Sequence, residues 1–274
     1  MKPMLAFKTR SDKVQFPIYV QPKLNGVRAL YLGEDQLQSR DEHLWDPHVV
    51  GHLLPLLNNV AGEYILDGEL YLHGMSLQQI NSRIAVNRAE PHPQGRMIEY
   101  HVFDVVADAP MAERVDILTE LMSRFDPRGK VKIVSTFLCT SEHQANCTFA
   151  LCKREGYEGV MYRKVDAPYG FAEDCSNKQN RWWYLQKRKD WMDIDCCVIG
   201  LERGQGRLAN TLGAFLLQAP NGAMFSAGSG LTDQQRQQYW SMSNQMVGKT
   251  VKIKFEMLSD TGVPLKPTIL LVES

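Results

Sequence analysis

Lys23-Leu24-Asn25-Gly26-Val27-Arg28 is the stretch on which the reading of this chain turns. Asn-Gly between apolar runs is the strongest short hairpin signal. The same six residues also set a lysine at the mouth of a tight turn, with a cation five positions on, and a lysine held that way can act as a covalent nucleophile. At ordinary residue frequencies, Lys-x-Asp/Asn-Gly-x-Arg turns up by chance in roughly one chain of this length in a hundred or fewer. The rest of the chain decides between a plain turn and a presented nucleophile.

Working outward, two strands are expected over residues 14–32, around the Lys23 turn, followed by a Gly33-Glu34-Asp35 turn into Gln36 to Arg40. Asp46 followed by Pro47 predicts a capped helix from Pro47 to Leu57. Strands are expected at Tyr64 to Leu72, Ile98 to Val106, Val131 to Leu138, Val160 to Arg163 and Trp182 to Lys189. Helices are expected at Ser76 to Val86, at Ala112 to Phe125 with Val115, Leu118, Leu121 and Met122 inward, and at Gln144 to Arg154. The mixture lacks strict alternation, which predicts an α+β first domain, residues 1–190. Beyond Arg188-Lys189-Asp190 the pattern changes to five short strands with one polar helix, Asp233 to Met246. That predicts a small OB-type barrel over residues 191–274.

The chain has 274 residues, 44% of them hydrophobic and 23% charged, and a net charge of zero. This composition is that of a soluble globular protein and excludes a bulk polycation. No apolar run reaches bilayer length and no secretory h-region opens the chain, so a cytoplasmic location without membrane contact is expected. Six cysteines without a Cys-x-x-Cys pair argue against a zinc site and for reduced thiols.

Several groups carry chemistry. Asp67 and Glu69 flank Gly68 in one strand, so period two puts both carboxylates on one face. They require cations, a metal or a sugar hydroxyl; a structural ion pair is the plainer alternative. Glu158 opens another strand. Lys187 and Lys189 share a face and repel unless an anion, such as a phosphate, lies between them. Phe103-Asp104 offers an aromatic platform, although an inward Phe is usually core. Arg40 adds a cation. Lys178, Arg181, Lys187, Arg188 and Lys189 surround Trp182-Trp183-Tyr184 with no acid among them, which suits phosphate and base contact. A lysine nucleophile, cations, three carboxylates and an aromatic together suit attack on a nucleoside triphosphate. The cations are expected to disfavour the Lys23 ammonium.

In this order the motifs resemble those of the covalent lysyl-nucleotidyltransferases, and specifically the minimal ATP-dependent DNA ligases. Pro3-Met4-Leu5-Ala6, Lys23 to Arg28, Ser39-Arg40, Leu66 to Leu70, Val102-Phe103-Asp104, Glu158 to Arg163 and Lys187-Arg188-Lys189 carry the resemblance in the first domain. Asp195 to Gly200, Gly204 to Gly213, Gly228-Ser229-Gly230 and Gly262-Val263-Pro264 carry it in the second. It implies Lys23 as the adenylylated residue, with Arg28, Lys187 and Lys189 assisting. ATP is then held by Gln21 at the adenine edge, Leu24, Arg28, Arg40, Glu69 at the ribose, Phe103 against adenine, Lys187 and Lys189. Glu69, Glu158 and Asp67 are the implied ligands of Mg²⁺, for which Mn²⁺ can substitute. Arg40, Arg163, Lys178 and Arg181 are the implied DNA contacts, and Tyr169 to Trp183 is the candidate segment for a DNA-contacting loop. The implied partner is nicked duplex DNA and the implied state a monomer. The implied setting is a bacterial cytoplasm or a virus-infected cell.

Two departures stand out. Asn25 replaces the usual Asp, which is expected to slow self-adenylylation, and the basic C-terminal motif is reduced to Lys266 within Leu265 to Ile269. An RNA ligase or GTP-using capping enzyme is the alternative within the superfamily. An NAD-dependent ligase is disfavoured, since 22 residues precede Lys23 and no zinc finger is present. A non-catalytic OB-fold nucleic-acid-binding protein is the alternative from another class; it has no need of Lys23, Glu69, Glu158, Lys187 and Lys189 together.

Overall fold

The computed structural model describes residues 1–85, 90–125, 129–171 and 181–273. The chain divides into two compact units, Met1–Lys189 and Asp190–Ser274.

In the first unit the strands are β1 (Leu5–Lys8), β2 (Ile18–Lys23), β3 (Val27–Gly33), β4 (Gln36–Ser39), β5 (Ile65–Tyr71), β6 (Glu99–Val106), β7 (Val131–Ile133), β8 (Phe137–Cys139), β9 (Gly159–Lys164) and β10 (Arg181–Lys189). They form two five-stranded sheets, of order β1-β10-β9-β2-β8 and β4-β3-β5-β6-β7. The β1–β10 and β6–β7 pairs are parallel and the rest antiparallel.

The Asn25-Gly26 turn is therefore not a hairpin. β2 belongs to one sheet and β3 to the other, so Leu24, Asn25 and Gly26 carry the chain across from sheet to sheet. The single strand expected over Val131 to Leu138 divides in the same way. β7 ends in one sheet and β8 begins in the other.

The helices are α1 (Pro47–Val50), α2 (Leu54–Ala61), α3 (Leu77–Arg83), α4 (Met111–Leu121) and α5 (Glu142–Arg154). Asp46 caps α1 through the His48 N–H, with Pro47 in the first turn. The helix expected to run on to Leu57 stops at Gly51 because the Pro55 ring excludes a helical carbonyl four residues earlier; α2 restarts with Pro55 in its first turn. Ser76 and Gln79 close a capping box on α3; the expected end of this helix at Val86 lies outside the described residues. α4 turns Leu118 and Leu121 inward, but Met122 is 57% exposed because the α-helix ends at Leu121. Arg114 takes a buried place on the inward face.

α1 to α4 pack a large apolar core onto the second sheet, including Leu53, Leu57, Leu66, Leu70, Tyr100 and Leu118. α5 packs on β2, β8 and β9 through Ala145 and Cys152 against Ile18, Val20 and Val160. Burial of this much apolar surface supplies the main driving force for the unit.

The second unit holds β11 (Met192–Arg203), β12 (Leu212–Gln218), β13 (Met224–Ala227), β14 (Thr250–Phe255), β15 (Met257–Leu258), β16 (Pro264–Leu265) and β17 (Thr268–Val272). An antiparallel sheet of order β13-β12-β11-β14-β17 closes over Val198, Phe215, Leu217, Val251 and Ile253. β15 and β16 make a separate hairpin. Helices α6 (Asp233–Ser241) and α7 (Ser243–Met246) fall between β13 and β14, with a Thr232–Gln235 capping box at the start of α6.

Candidate active site

Lys23 is the last residue of β2, and its position follows from strand register. β2 pairs with β9 so that Lys23 faces Gly159, and β10 pairs with β9 so that Lys189 faces Gly159 from the other side. Glu158, one residue before Gly159, thereby meets both lysines. Lys23 Nζ lies 2.5 Å from Glu158 Oε2 and Lys189 Nζ 3.0 Å from Glu158 Oε1. The Glu158 N–H also donates to the Lys23 carbonyl at 3.2 Å. Glycine is required at 159, because a Cβ there would stand 2.1 Å from the Arg188 carbonyl. Burial alone would raise the Glu158 carboxyl; Lys23 and Lys189 outweigh it and hold the group below the usual carboxylate range. The group nearest Lys23 is thus a carboxylate, where the sequence pattern led us to expect cations.

The second sheet supplies the opposite wall. Arg28 on β3 faces Glu69 on β5. The Gly26 N–H donates to Glu69 Oε1 at 3.0 Å. A Cβ at Gly26 would meet the Leu70 carbonyl at 2.4 Å and Glu69 Cγ at 2.8 Å, so the crossover can pass this close only as glycine. Burial pushes Glu69 up to about 7, against the pull of Lys23, the Gly26 N–H and Arg28.

These walls enclose a cleft of about 490 Å³, bordered by Gln21, Lys23, Leu24, Arg28, Arg40, Glu69, Phe103, Arg163, Arg181 and Lys187. Such a volume lies within the range of small-ligand sites, about 300–1,000 Å³. Phe103 lies with the Arg28 and Arg163 guanidiniums 5.4 and 5.3 Å from its ring centre. Arg40 stands exposed at the rim beside Asp41, and Arg181 donates to the Ala6 carbonyl at 2.6 Å.

Three expected roles do not fit their surroundings. Asp67 is fully buried and its oxygens are taken by Arg28, at 2.9 and 2.5 Å, and by the Tyr169 hydroxyl at 2.7 Å. It is a structural partner of Arg28 rather than an open metal ligand. Arg163 is likewise buried, with Nη1 2.6 Å from Asp104 and Nε 2.7 Å from Gln21, so it offers DNA no charged surface. Gln21 borders the cleft, but its amide donates to the Phe103 carbonyl and to Thr136 Oγ1, both at 2.8 Å. It positions Phe103 instead of presenting a free edge to adenine. Lys178 lies outside the described residues, as does most of the expected DNA loop, residues 172–180. Of that loop, Tyr169 is buried and Trp182 donates to the Phe171 carbonyl at 2.9 Å.

Sequence reasoning missed the network beneath Phe103. Asp104 is held by Arg114 at 2.8 Å and by Arg163, joining β6, α4 and β9. An arginine four residues before Leu118 on an inward stripe, and an aspartate inside an apolar strand, were the available signals. His101 was missed too; it is the cross-strand partner of Glu69.

Comparison with known proteins gives the family. Residues 3–185 match the model of the ATP dependent DNA ligase domain, and residues 203–272 that of the DNA ligase OB-like domain. The chain belongs to the ATP-dependent DNA ligase family. Its fold is accordingly the α+β adenylation domain of that family followed by an OB domain. A DNA ligase of African swine fever virus is 28% identical over 279 residues, covering 94% of this chain and 64% of the viral protein. One from Thermococcus onnurineus is 28% identical over 174 residues, covering 57% of this chain and 29% of its own length. The chain thus spans under two thirds of the length of these relatives. Among solved structures, a Lig E DNA ligase superimposes with a TM-score of 0.81 at 22% identity, covering 100% of this chain and 99% of its own. The Chlorella virus DNA ligase-adenylate gives 0.54 at 24%, covering 100% and 98%. At these identities the likeness speaks for the fold alone.

Proposed function

We propose that this chain seals nicks in duplex DNA with ATP, through AMP carried on Lys23. The observation that carries the reading is that Lys23, bonded to a Glu158 carboxylate that Lys189 also holds, borders a cleft with Lys187, Arg28 and Phe103, while Glu158 and Lys189 lie outside its lining. In the first step Lys23 Nζ bonds to the α-phosphorus of ATP, and the bond from that phosphorus to the bridging oxygen breaks, releasing pyrophosphate. The proton that Lys23 sheds has Glu158 Oε2, 2.5 Å away, as its nearest acceptor. Lys187 would receive phosphate charge and Phe103 would stack on adenine; Arg28, whose three nitrogens are held by Asp67 and the Met4 carbonyl, would add to the positive potential of the cleft. Next the 5′-phosphate of the nick attacks the same phosphorus, the N–P bond breaks and Lys23 is regenerated. Finally the 3′-hydroxyl attacks the activated 5′-phosphate and AMP leaves.

A divalent cation fits this site. Glu69 offers a carboxylate at the cleft, Glu158 would offer a second once the Lys23 and Lys189 contacts that hold both its oxygens give way, and among the described residues no cluster of three or more His, Cys, Asp or Glu gathers at one point. One or two carboxylates completed by water and phosphate is the donor set of Mg²⁺, which we assign, with Mn²⁺ able to substitute. Its chemistry would be to neutralise phosphate charge as pyrophosphate departs.

Nicked duplex DNA is the proposed partner, contacted through backbone phosphates by Arg40 and Arg181 and therefore salt-sensitive. No described helix is long and apolar enough to cross a membrane; we propose a cytoplasmic monomer. The test is incubation with α-labelled ATP and Mg²⁺. Label is expected on the protein and absent from Lys23→Ala; a labelled Lys23→Ala or an unlabelled wild type refutes the mechanism. Sealing of nicked DNA faster than of nicked RNA separates this reading from an RNA ligase.

A further inference from the structure

Neighbouring residues of a strand point to opposite faces, and β10 uses both. Lys187 borders the nucleotide cleft, whereas Gln186 floors a second cavity of about 390 Å³. This cavity is walled by Phe7 and Lys8 of β1, by Arg10, Asp12, Lys13 and Gln15 from the segment after β1, and by Trp183 of β10, where the β1–β10 register shift between Ala6 and Phe7 interrupts the alternation and lets Trp183 share a cavity with Gln186. On this side of the sheet α5 packs on β2, β8 and β9, and the cavity lies at the remaining strands, β1 and β10.

The cavity is built, not an accident of loose loops. Gln186 is 4% exposed; its Oε1 accepts the Arg10 N–H at 2.9 Å and its Nε2 donates to the Lys13 carbonyl at 3.2 Å. Those two bonds hold the chain that forms one rim. Trp183, in contrast, is 43% exposed, unusual for the largest apolar side chain on a sheet. Lys164 Nζ stands 5.5 Å from its ring centre and is itself paired with Asp166 at 2.9 Å. Arg10 is likewise taken by Asp12 at 2.8 Å. Lys8 and Lys13 add cationic charge at the mouth, and among the described residues Asp12 is the one acid of the lining.

We propose that this second cavity binds one unstacked nucleotide of single-stranded DNA, with the base against Trp183 and Phe7 and its flanking phosphates at Lys8 and Lys13. An exposed indole beside cations is the composition of single-strand sites, where bases stack on aromatics and phosphates track lysines. A base inside a duplex is stacked on both sides and cannot enter a walled cavity, which is why the occupant is a single strand. The site is separate from the nucleotide cleft and does not depend on the ligase reading.

The test is fluorescence anisotropy of labelled dT12, and of an abasic strand of the same length, on the full chain. Trp183→Ala is expected to weaken dT12 roughly ten-fold, from the ordinary range for base–aromatic stacking, and to leave the abasic strand unchanged; Trp183→Phe keeps most of the affinity. Lys8→Ala/Lys13→Ala is expected to weaken both strands and to lower the log–log salt slope by about 1.4, two single-strand phosphate contacts at about 0.7 each. Unchanged dT12 affinity in Trp183→Ala overturns the proposal. So does an equal loss on the abasic strand, or a Trp183→Phe as weak as Trp183→Ala. A thermal unfolding midpoint unchanged from wild type in every variant shows that the unit is folded.

Discussion

Glu69→Gln should make the protein more stable at pH 8 and little changed below pH 4.5. Burial lifts the Glu69 carboxyl from 4.5 to about 7. A carboxyl with a raised pKa holds its proton more tightly in the folded chain. It therefore costs nothing below the unfolded value, costs more as pH climbs from 4.5, and costs most above about 7. The shift of about 2.5 units, at 1.36 kcal/mol per unit, gives about 3 kcal/mol at pH 8 and about 1 kcal/mol at pH 5. Residual solvent contact makes these upper figures. Glutamine has the same shape and can still accept the Gly26 N–H, so it removes the charge without opening a cavity. For a unit of this size each kcal/mol moves the melting midpoint by about 2–4 °C. The variant should then melt roughly 6–12 °C above wild type at pH 8 and about 2–4 °C above it at pH 5. The assay is thermal unfolding of both proteins across pH in EDTA, so that metal binding does not enter. A gain no larger at pH 8 than at pH 5, or a variant less stable at pH 8, refutes the account of Glu69. The same substitution should abolish most labelling by ATP, a trade of activity against stability expected where a charge is buried for function.

Gly26→Ala should cut self-adenylylation about a hundred-fold, the scale of a 1 Å misplacement in a catalytic site, because its Cβ must displace Glu69 or the Leu70 backbone; near-normal labelling refutes it. Asp104→Ala leaves the buried Arg114 and Arg163 without their shared carboxylate. It should cost about 3–5 kcal/mol in urea unfolding, and a loss under 1 kcal/mol counts against the network. Thr232→Ala removes the α6 cap, whose hydroxyl accepts the Gln235 N–H at 3.2 Å. It should cost about 1 kcal/mol, confined to unfolding of the second unit, and leave labelling at Lys23 unchanged.

What could be read from the sequence was what strands and turns encode locally. Glu158 and Lys189 were legible because each stands at a strand end whose apolar pattern is plain, and register does the rest. The second unit was legible for the same reason: short alternating strands bounded by glycines. Sheet membership was not. Nothing local distinguishes a turn that returns a chain to its own sheet from one that passes it to another, so Asn25-Gly26 read as a hairpin and Val131 to Leu138 as one strand. Asp67 and Arg163 were misassigned for a related cause. A charged residue in an apolar strand signals a partner, but whether the partner is a protein side chain or a ligand depends on distant elements, here Arg28, Tyr169 and Asp104. Arg114 shows the converse: a charge on an inward helix face marks a buried network when an aspartate waits in the strand beneath.

The crossing of the chain between sheets at Leu24 to Gly26 has a mechanical meaning. Lys23, Glu158, Lys187 and Lys189 ride on one sheet; Arg28, Glu69 and Phe103 ride on the other. The lysine that would carry AMP sits at the seam, tied forward to Glu158 and, three residues on, to Glu69 through one amide. On the proposed reading, neither sheet by itself owns a working site. Labelling of Lys23 is thus a proximity gauge for the two halves of the unit, and any strain that parts them by the length of a hydrogen bond should silence the chemistry before either sheet has begun to unfold.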